Sequence, residues 1–176
     1  NHPNDYLLLL IAKTGLRFGE ALGLTPSDID FQTQQINVEK TWNYKDPEGG
    51  FAPTKNRSSH RKVRMDWSLC MHLKRLCDGC DASKPLFVTE GKRIFNATVN
   101  DRLAAVCKQC NIPAITVHGL RHTHASLLLY AGVSVASVAK RLGHANMTTT
   151  QMTYLHIIKE FEAQDTDRIM QFLSTL

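Results

Sequence analysis

The chain has 176 residues, 43% of them hydrophobic, and a formal net charge of +5. That is enough for one well-buried core but short of two full domains, so a single domain over residues 1–176 is expected. No apolar run approaches the roughly 18 residues that a membrane span needs, and no charged-then-apolar leader precedes Asp5, which excludes the obvious membrane and secretory readings; the start at Asn1 reads as a soluble, intracellular piece of a longer protein. A basic balance suits a polyanionic partner, although charge alone does not establish one.

Residues 5–12 show the spacing of a mostly buried helix that ends at Thr14-Gly15, and residues 17–24 form a second short helix before Thr25-Pro26. Arg17 then stands at a helix start beside a tight turn. Ile36, Val38, Lys40 and Trp42 alternate with Gln35, Asn37, Glu39 and Thr41, the period-two pattern of one half-buried strand. Asp46-Pro47-Glu48-Gly49-Gly50 is a turn, residues 51–55 a second strand and residues 62–65 a third. Together they predict a small three-stranded antiparallel sheet in an otherwise helical, mainly α fold of α+β class. Between Lys55 and Arg64 five of ten residues are basic (Lys55, Arg57, Arg61, Lys62, Arg64) with no acid among them. Such a hairpin is either a solvated loop or a continuous phosphate contact.

Helical spacing continues over residues 69–76, 97–110, 117–131, 135–142, 148–155 and 158–173, with breaks at Gly79, Pro85, Pro113, Gly132 and Gly143. Ser134 caps a segment whose Val135, Val138, Ala139 and Leu142 define one apolar face. In the preceding helix Leu120, Leu127 and Leu128 are expected to face the core. Cys77-x2-Cys80 and Cys107-x2-Cys110 have the look of zinc half-sites, but 26 residues separate them and the second pair falls within a helical pattern, so no metal is expected. The odd fifth cysteine, Cys70, argues against a complete disulfide framework.

Five polar residues fit phosphodiester chemistry. Arginine forks such as those of Arg17 and Arg121 hold phosphate oxygens, His118 and His144 suit proton transfer, and the phenol of Tyr154 can act as a covalent nucleophile. His118 and Arg121, three apart at a helix start, share one face. Each residue also has an ordinary explanation. Arg17 could pair with Glu20 on a helix surface, His144 could be a polar residue after a helix C-cap, and Tyr154 could be a core residue. His122 follows His118 at i+4, as in paired metal ligands, but Gly119 stands where that motif has its glutamate.

Order and wording separate these readings. Thr14-Gly15-Leu16-Arg17-Phe18-Gly19-Glu20, Thr116-Val117-His118-Gly119-Leu120-Arg121-His122-Thr123-His124-Ala125, and Leu142-Gly143-His144 followed ten residues later by Tyr154-Leu155-His156 resemble the tyrosine recombinases, the phage-integrase family. The resemblance covers nearly the whole chain and is nearest in wording to integrases of Gram-positive temperate phages and integrative elements. It implies the catalytic-domain fold of that family, without its N-terminal core-binding and arm-binding domains. It also implies site-specific recombination through a 3′-phosphotyrosyl intermediate, with no cofactor.

By position, the resemblance makes Arg17 and Arg121 the phosphate clamp and Lys55 the acid for the leaving 5′ oxygen, with Lys62 as its competitor for that role. It makes His118 the residue that handles the tyrosine proton and also contacts the phosphate, puts His144 at a position held by histidine or tryptophan, and makes Tyr154 the nucleophile. Arg57, Arg61, Lys62 and Arg64 would be DNA contacts. The implied partners are double-stranded attachment sites, a homotetramer joined through the C-terminal apolar stripe (Ile157, Ile158, Phe161, Ile169, Phe172, Leu173), and an excision factor, in a bacterial cytoplasm. That stripe reads equally as closing the chain's own core. A type IB topoisomerase-like enzyme and a non-catalytic basic DNA-binding module are the alternatives.

Overall fold

The computed structural model describes residues 3–54, 56–89, 91–155, 158 and 169–175. Helix α1 (Pro3–Thr14) lies at the centre, with Leu7, Leu10 and Ile11 at most 1% exposed. It packs on the short α2 (Phe18–Leu22), on α3 (Trp67–Cys77), on α4 (Asn96–Gln109) and most extensively on α5 (Val117–Tyr130). Helices α6 (Val135–Leu142) and α7 (Met147–Thr153) complete the described helical layer. Side-chain caps start four of these helices: Asp66 accepts from Leu69 N, Thr116 from Gly119 N, Ser134 from Ser137 N and Asn146 from Thr149 N.

The β-structure differs from the expected single sheet. A strand β1 (Ile29–Asp30), which the alternation did not reveal, pairs antiparallel with β2 (Gln35–Val38), and β2 also pairs with β5 (Arg61–Arg64). The segment read as one strand breaks at Glu39. Its second half, β3 (Lys40–Trp42), pairs instead with β4 (Phe51–Pro53) in a separate two-stranded ribbon. The hydrophobic period is the same on both sides of Glu39, so alternation could not mark a change of partner.

Two apolar clusters build the interior. The larger joins α1, α2, the three-stranded sheet, α3, α4 and Val117 at the head of α5. The smaller holds Ala125 and Leu129 from the rear of α5, Val138 and Leu142 from α6, and Tyr154. Helix α5 therefore crosses from one cluster to the other. Its fully buried face is Val117, Arg121, His124, Ala125 and Leu129; of the leucines expected to face the core, Leu120 and Leu128 pack partly buried against the two clusters, whereas Leu127 is 64% exposed. Cys70 and Cys107 are core residues, whereas Cys80 and Cys110 are exposed and no described cysteine is disulfide-bonded. No described helix is long and apolar enough to cross a membrane.

Candidate active site

The site is organised around the C-terminus of α6. Gly143 adopts φ +68°, and the amides of Gly143 and His144 return to Lys140 O and Ala139 O, a Schellman closure. Only glycine fits easily, since a Cβ there would come within 3.0 Å of Arg61 Nη1. The closing turn leaves three successive carbonyls pointing outward, each met by a guanidinium. Arg61 Nε donates to Arg141 O at 2.7 Å, Arg121 Nη2 to Leu142 O at 2.7 Å and Arg17 Nη2 to Gly143 O at 3.2 Å. Positive charge at a helix C-terminus is favourable in its own right. Arg121 is further anchored through Nη1 to Gly15 O, in the tight turn after α1.

Among the described residues Glu20 is the carboxylate that bonds to these arginines. Arg17, extended at the N-cap of α2, donates to it from its backbone at 2.9 Å and from Nη1 at 2.8 Å. Arg61 donates from Nη2 at 2.9 Å and Nη1 at 3.2 Å. The Glu20 side chain is 4% exposed and that of Arg61 5%. Burial opposes ionisation of Glu20, but the bonds and charge of Arg61, then of Arg17, outweigh it and hold the carboxyl below its usual range. Arg121 is pulled down to about 10 by burial first and by the charge of Arg17 second, and so stays cationic at neutral pH. Three guanidiniums against one carboxylate leave an excess of positive charge that an anionic oxygen can satisfy.

The imidazoles beside them are held neutral. His144 bonds through Nδ1 to the buried hydroxyl of Thr150 at 2.7 Å. Burial lowers its pKa to about 4, with the charges of Arg121 and Arg17 next in weight. His118 is lowered by burial and then by His122, Arg121 and Arg17. Tyr154 follows α7 and is 3% exposed within the smaller apolar cluster. Burial raises its pKa, and the charge of Arg121 partly offsets that rise. Its hydroxyl bonds to His122 Nδ1 at 2.9 Å, and the His122 ring meets that of His118 edge-on at 4.7 Å.

Arg17, His118 and Arg121, drawn from two distant segments, line one cleft of about 430 Å³ together with Glu20, Tyr44, Thr54 and Asn96. His144 adjoins it through Arg17 and Gly143. Lys55 lies outside the described residues, as does the side chain of Arg57, although Thr54 lines the cleft. Strand β5 alternates, so Lys62 and Arg64 are exposed while Arg61 turns inward with Val63. Arg61, expected to contact DNA, has its guanidinium bonded to Glu20, Ser59 O and Arg141 O. The parity of Arg61, Val63 and Met65 was the sequence signal for this. Nothing in the sequence pointed to His122 as a partner of Tyr154. Among the described residues no group of three or more His, Cys, Asp or Glu side chains could hold a metal ion.

The chain is 29% identical to the integrase of Staphylococcus phage L54a, over 87% of this chain and 48% of that protein. It is 28% identical to the ICEBs1 integrase of Bacillus subtilis (strain 168), over 97% of this chain and 51% of that protein. The chain thus spans about half the length of the curated relatives it matches. In structure it resembles the Tn1549 transposon integrase solved with transposon right end DNA, with a TM-score of 0.78 and 23% identity over 94% of this chain and 58% of that one. The XerA recombinase gives 0.66 at 24% identity, over 93% of this chain and 62% of that one. These likenesses establish the tyrosine recombinase catalytic-domain fold, mainly helical with small antiparallel sheets. The family model of the phage integrases matches residues 2–160, and the chain belongs to the phage integrase family.

Proposed function

We propose that this chain is the catalytic domain of a site-specific DNA recombinase that integrates or excises a mobile element. The observation that carries the reading is the convergence of Arg17, His118 and Arg121 on one cleft, with Tyr154 close enough to Arg121 for their charges to interact. The substrate is double-stranded DNA, and the exposed Lys62 and Arg64 of β5 supply backbone contacts. The solved Tn1549 integrase, bound to its transposon end, lends support to that partner.

In this mechanism Arg17 and Arg121 clamp the non-bridging oxygens of the scissile phosphate. Phosphoryl transfer gains mainly from positioning and charge stabilisation, so two fixed guanidiniums can take the part that metal ions play elsewhere. The Tyr154 oxygen attacks phosphorus and the 5′ oxygen leaves with a proton from Lys55, the acid assigned by position in the family. His144 donates to or accepts from the phosphate side of the cleft, braced by Thr150. The 3′-phosphotyrosyl bond keeps the energy of the broken one, so a second strand rejoins without ATP. Assembly into a tetramer on DNA belongs to the same proposal, as does an excision factor that biases direction.

The test is incubation, with a chelator present, on a nicked duplex carrying the attachment site. A covalent 3′ adduct should form with the native chain and vanish in Y154F. An adduct that survives Y154F, or one that needs divalent metal, overturns the mechanism; a non-catalytic module would form none while still binding DNA.

A further inference from the structure

The phenol of Tyr154 is bonded to His122, a residue outside the set that the family resemblance assigns. Three observations define the pair. The Tyr154 hydroxyl lies 2.9 Å from His122 Nδ1, a hydrogen-bond distance. Tyr154 is 3% exposed, whereas His122 stands exposed on α5, so the imidazole lies between a buried phenol and solvent. His122 also sits directly after Arg121 and touches His118, the two residues that line the cleft.

We propose that His122 is a catalytic residue, the proton acceptor for Tyr154; this rests on the recombinase reading above. In the neutral imidazole one ring nitrogen is an acceptor and the other a donor. With Nδ1 facing a phenol that must donate, the proton of His122 resides on Nε2. As the phenolic oxygen forms its bond to phosphorus, its O–H bond breaks and the proton passes to Nδ1. The P–O5′ bond breaks with its electron pair on the 5′ oxygen, which takes a proton from the general acid. The imidazolium releases its extra proton to solvent, and rejoining runs the same transfers backwards. His118 then belongs to the phosphate side of the cleft.

Burial disfavours the free phenolate, so an acceptor at hydrogen-bond distance lowers the barrier where it is highest. The charged and titratable groups around His122 are His118 and Arg121 on its own helix, Tyr154 after α7, and His144 from the turn after α6.

The experiment compares native chain, H122N and H122F in single-turnover adduct formation on the nicked attachment-site duplex, from neutral to strongly alkaline pH. Asparagine can still accept the phenol's hydrogen bond but cannot take its proton. H122N should therefore be slower by about 100-fold at neutral pH and recover as alkaline solution ionises the phenol. H122F should be at least as slow. Native rates in H122N, or a drop of the same size at every pH, would overturn the role. In parallel, the ¹³C-labelled Tyr154 ring of the DNA-free chain, assigned by its loss in Y154F, should report a histidine titration that H122N abolishes. Absence of that coupling in the native chain overturns the contact. Coupling with no adduct from the native chain overturns the recombinase reading and with it the catalytic role, while a Y154F-sensitive adduct indifferent to H122N overturns this proposal alone.

Discussion

Glu20 sits between Arg17 and Arg61 and bonds to both. Its carboxylate bonds Arg17 at the cleft and Arg61, and because Glu20 and Arg61 are both almost fully buried, that second pair is costly to break. E20Q keeps the shape and removes the charge, leaving Arg61 desolvated and uncompensated. The expected loss is about 3 kcal/mol in urea unfolding, with an unchanged m-value, together with a fall of at least tenfold in adduct formation. The Arg17-Glu20 spacing allowed a surface pair worth a few tenths of a kcal/mol; burial and the second arginine, forty-one residues away in sequence, make it a structural centre. Arg17 and Arg121 are similarly intolerant of lysine, because each bridges two acceptors that a single ammonium cannot reach at once.

At the scale of elements, α6 is locked in place by a second polar knot on its far side. Arg141 Nε donates to His124 Nε2 at 2.9 Å, and its two remaining nitrogens donate to Arg64 O and Lys13 O, while His124 Nδ1 bonds Ala12 O at 2.9 Å. Two side chains thus tie α1, α5, α6 and β5 together. This geometry requires an uncharged His124 with its proton on Nδ1. Burial, then the charge of Arg141, lowers its pKa to about 4 from an ordinary 6.5. Between those values the unfolded chain binds a proton that the folded chain refuses. Stability is therefore complete above about pH 6.5 and declines as pH falls towards 4, by about 2–3 kcal/mol, with His144 acting in the same direction. Urea midpoints at neutral and mildly acid pH measure the decline, and H124N should flatten it; stability that rises on acidification would contradict the knot.

For the molecule as a whole, the cleft is lined by the larger apolar cluster through Leu16, Phe18 and Val117, and α5 carries cluster residues at both ends with His118 and Arg121 between them. The larger cluster holds Leu16 and Phe18 on either side of Arg17, and the smaller one holds Tyr154, so relative movement of the clusters would change the distance between Arg17 and Tyr154. Ile158 packs on the smaller cluster, whereas the apolar side chains described beyond it, Ile169, Met170, Phe172 and Leu173, are 54–64% exposed. Those exposures favour the reading in which the terminal stripe serves a neighbouring protomer rather than the chain's own core. Deleting residues 160–176 should leave the unfolding midpoint of the isolated chain nearly unchanged and weaken assembly on DNA, read by sedimentation of the DNA complex. A collapsed monomer would favour the intramolecular role.

Local chemistry is what one sequence can state by itself. The helices from α3 to α7 follow from spacing and caps such as Ser134, because helical hydrogen bonds join near neighbours. The family and its expected residues were legible because Arg17, the His118 to Arg121 turn, and Gly143-His144 carry distinctive neighbours. Partnership at long range was not legible. Whether β3 pairs with β2's neighbours or with β4, and whether Arg61 faces water or Glu20, depends on which remote segment covers each face. The bond between Tyr154 and His122 likewise exists only because the smaller cluster draws the end of α7 against α5. The sequence by itself determined the family, the helices and the residues with suitable chemistry; the tertiary structure alone decided which arginines are spent on the protein and which nitrogen meets the phenol, because such contacts are set by packing between segments far apart in the chain.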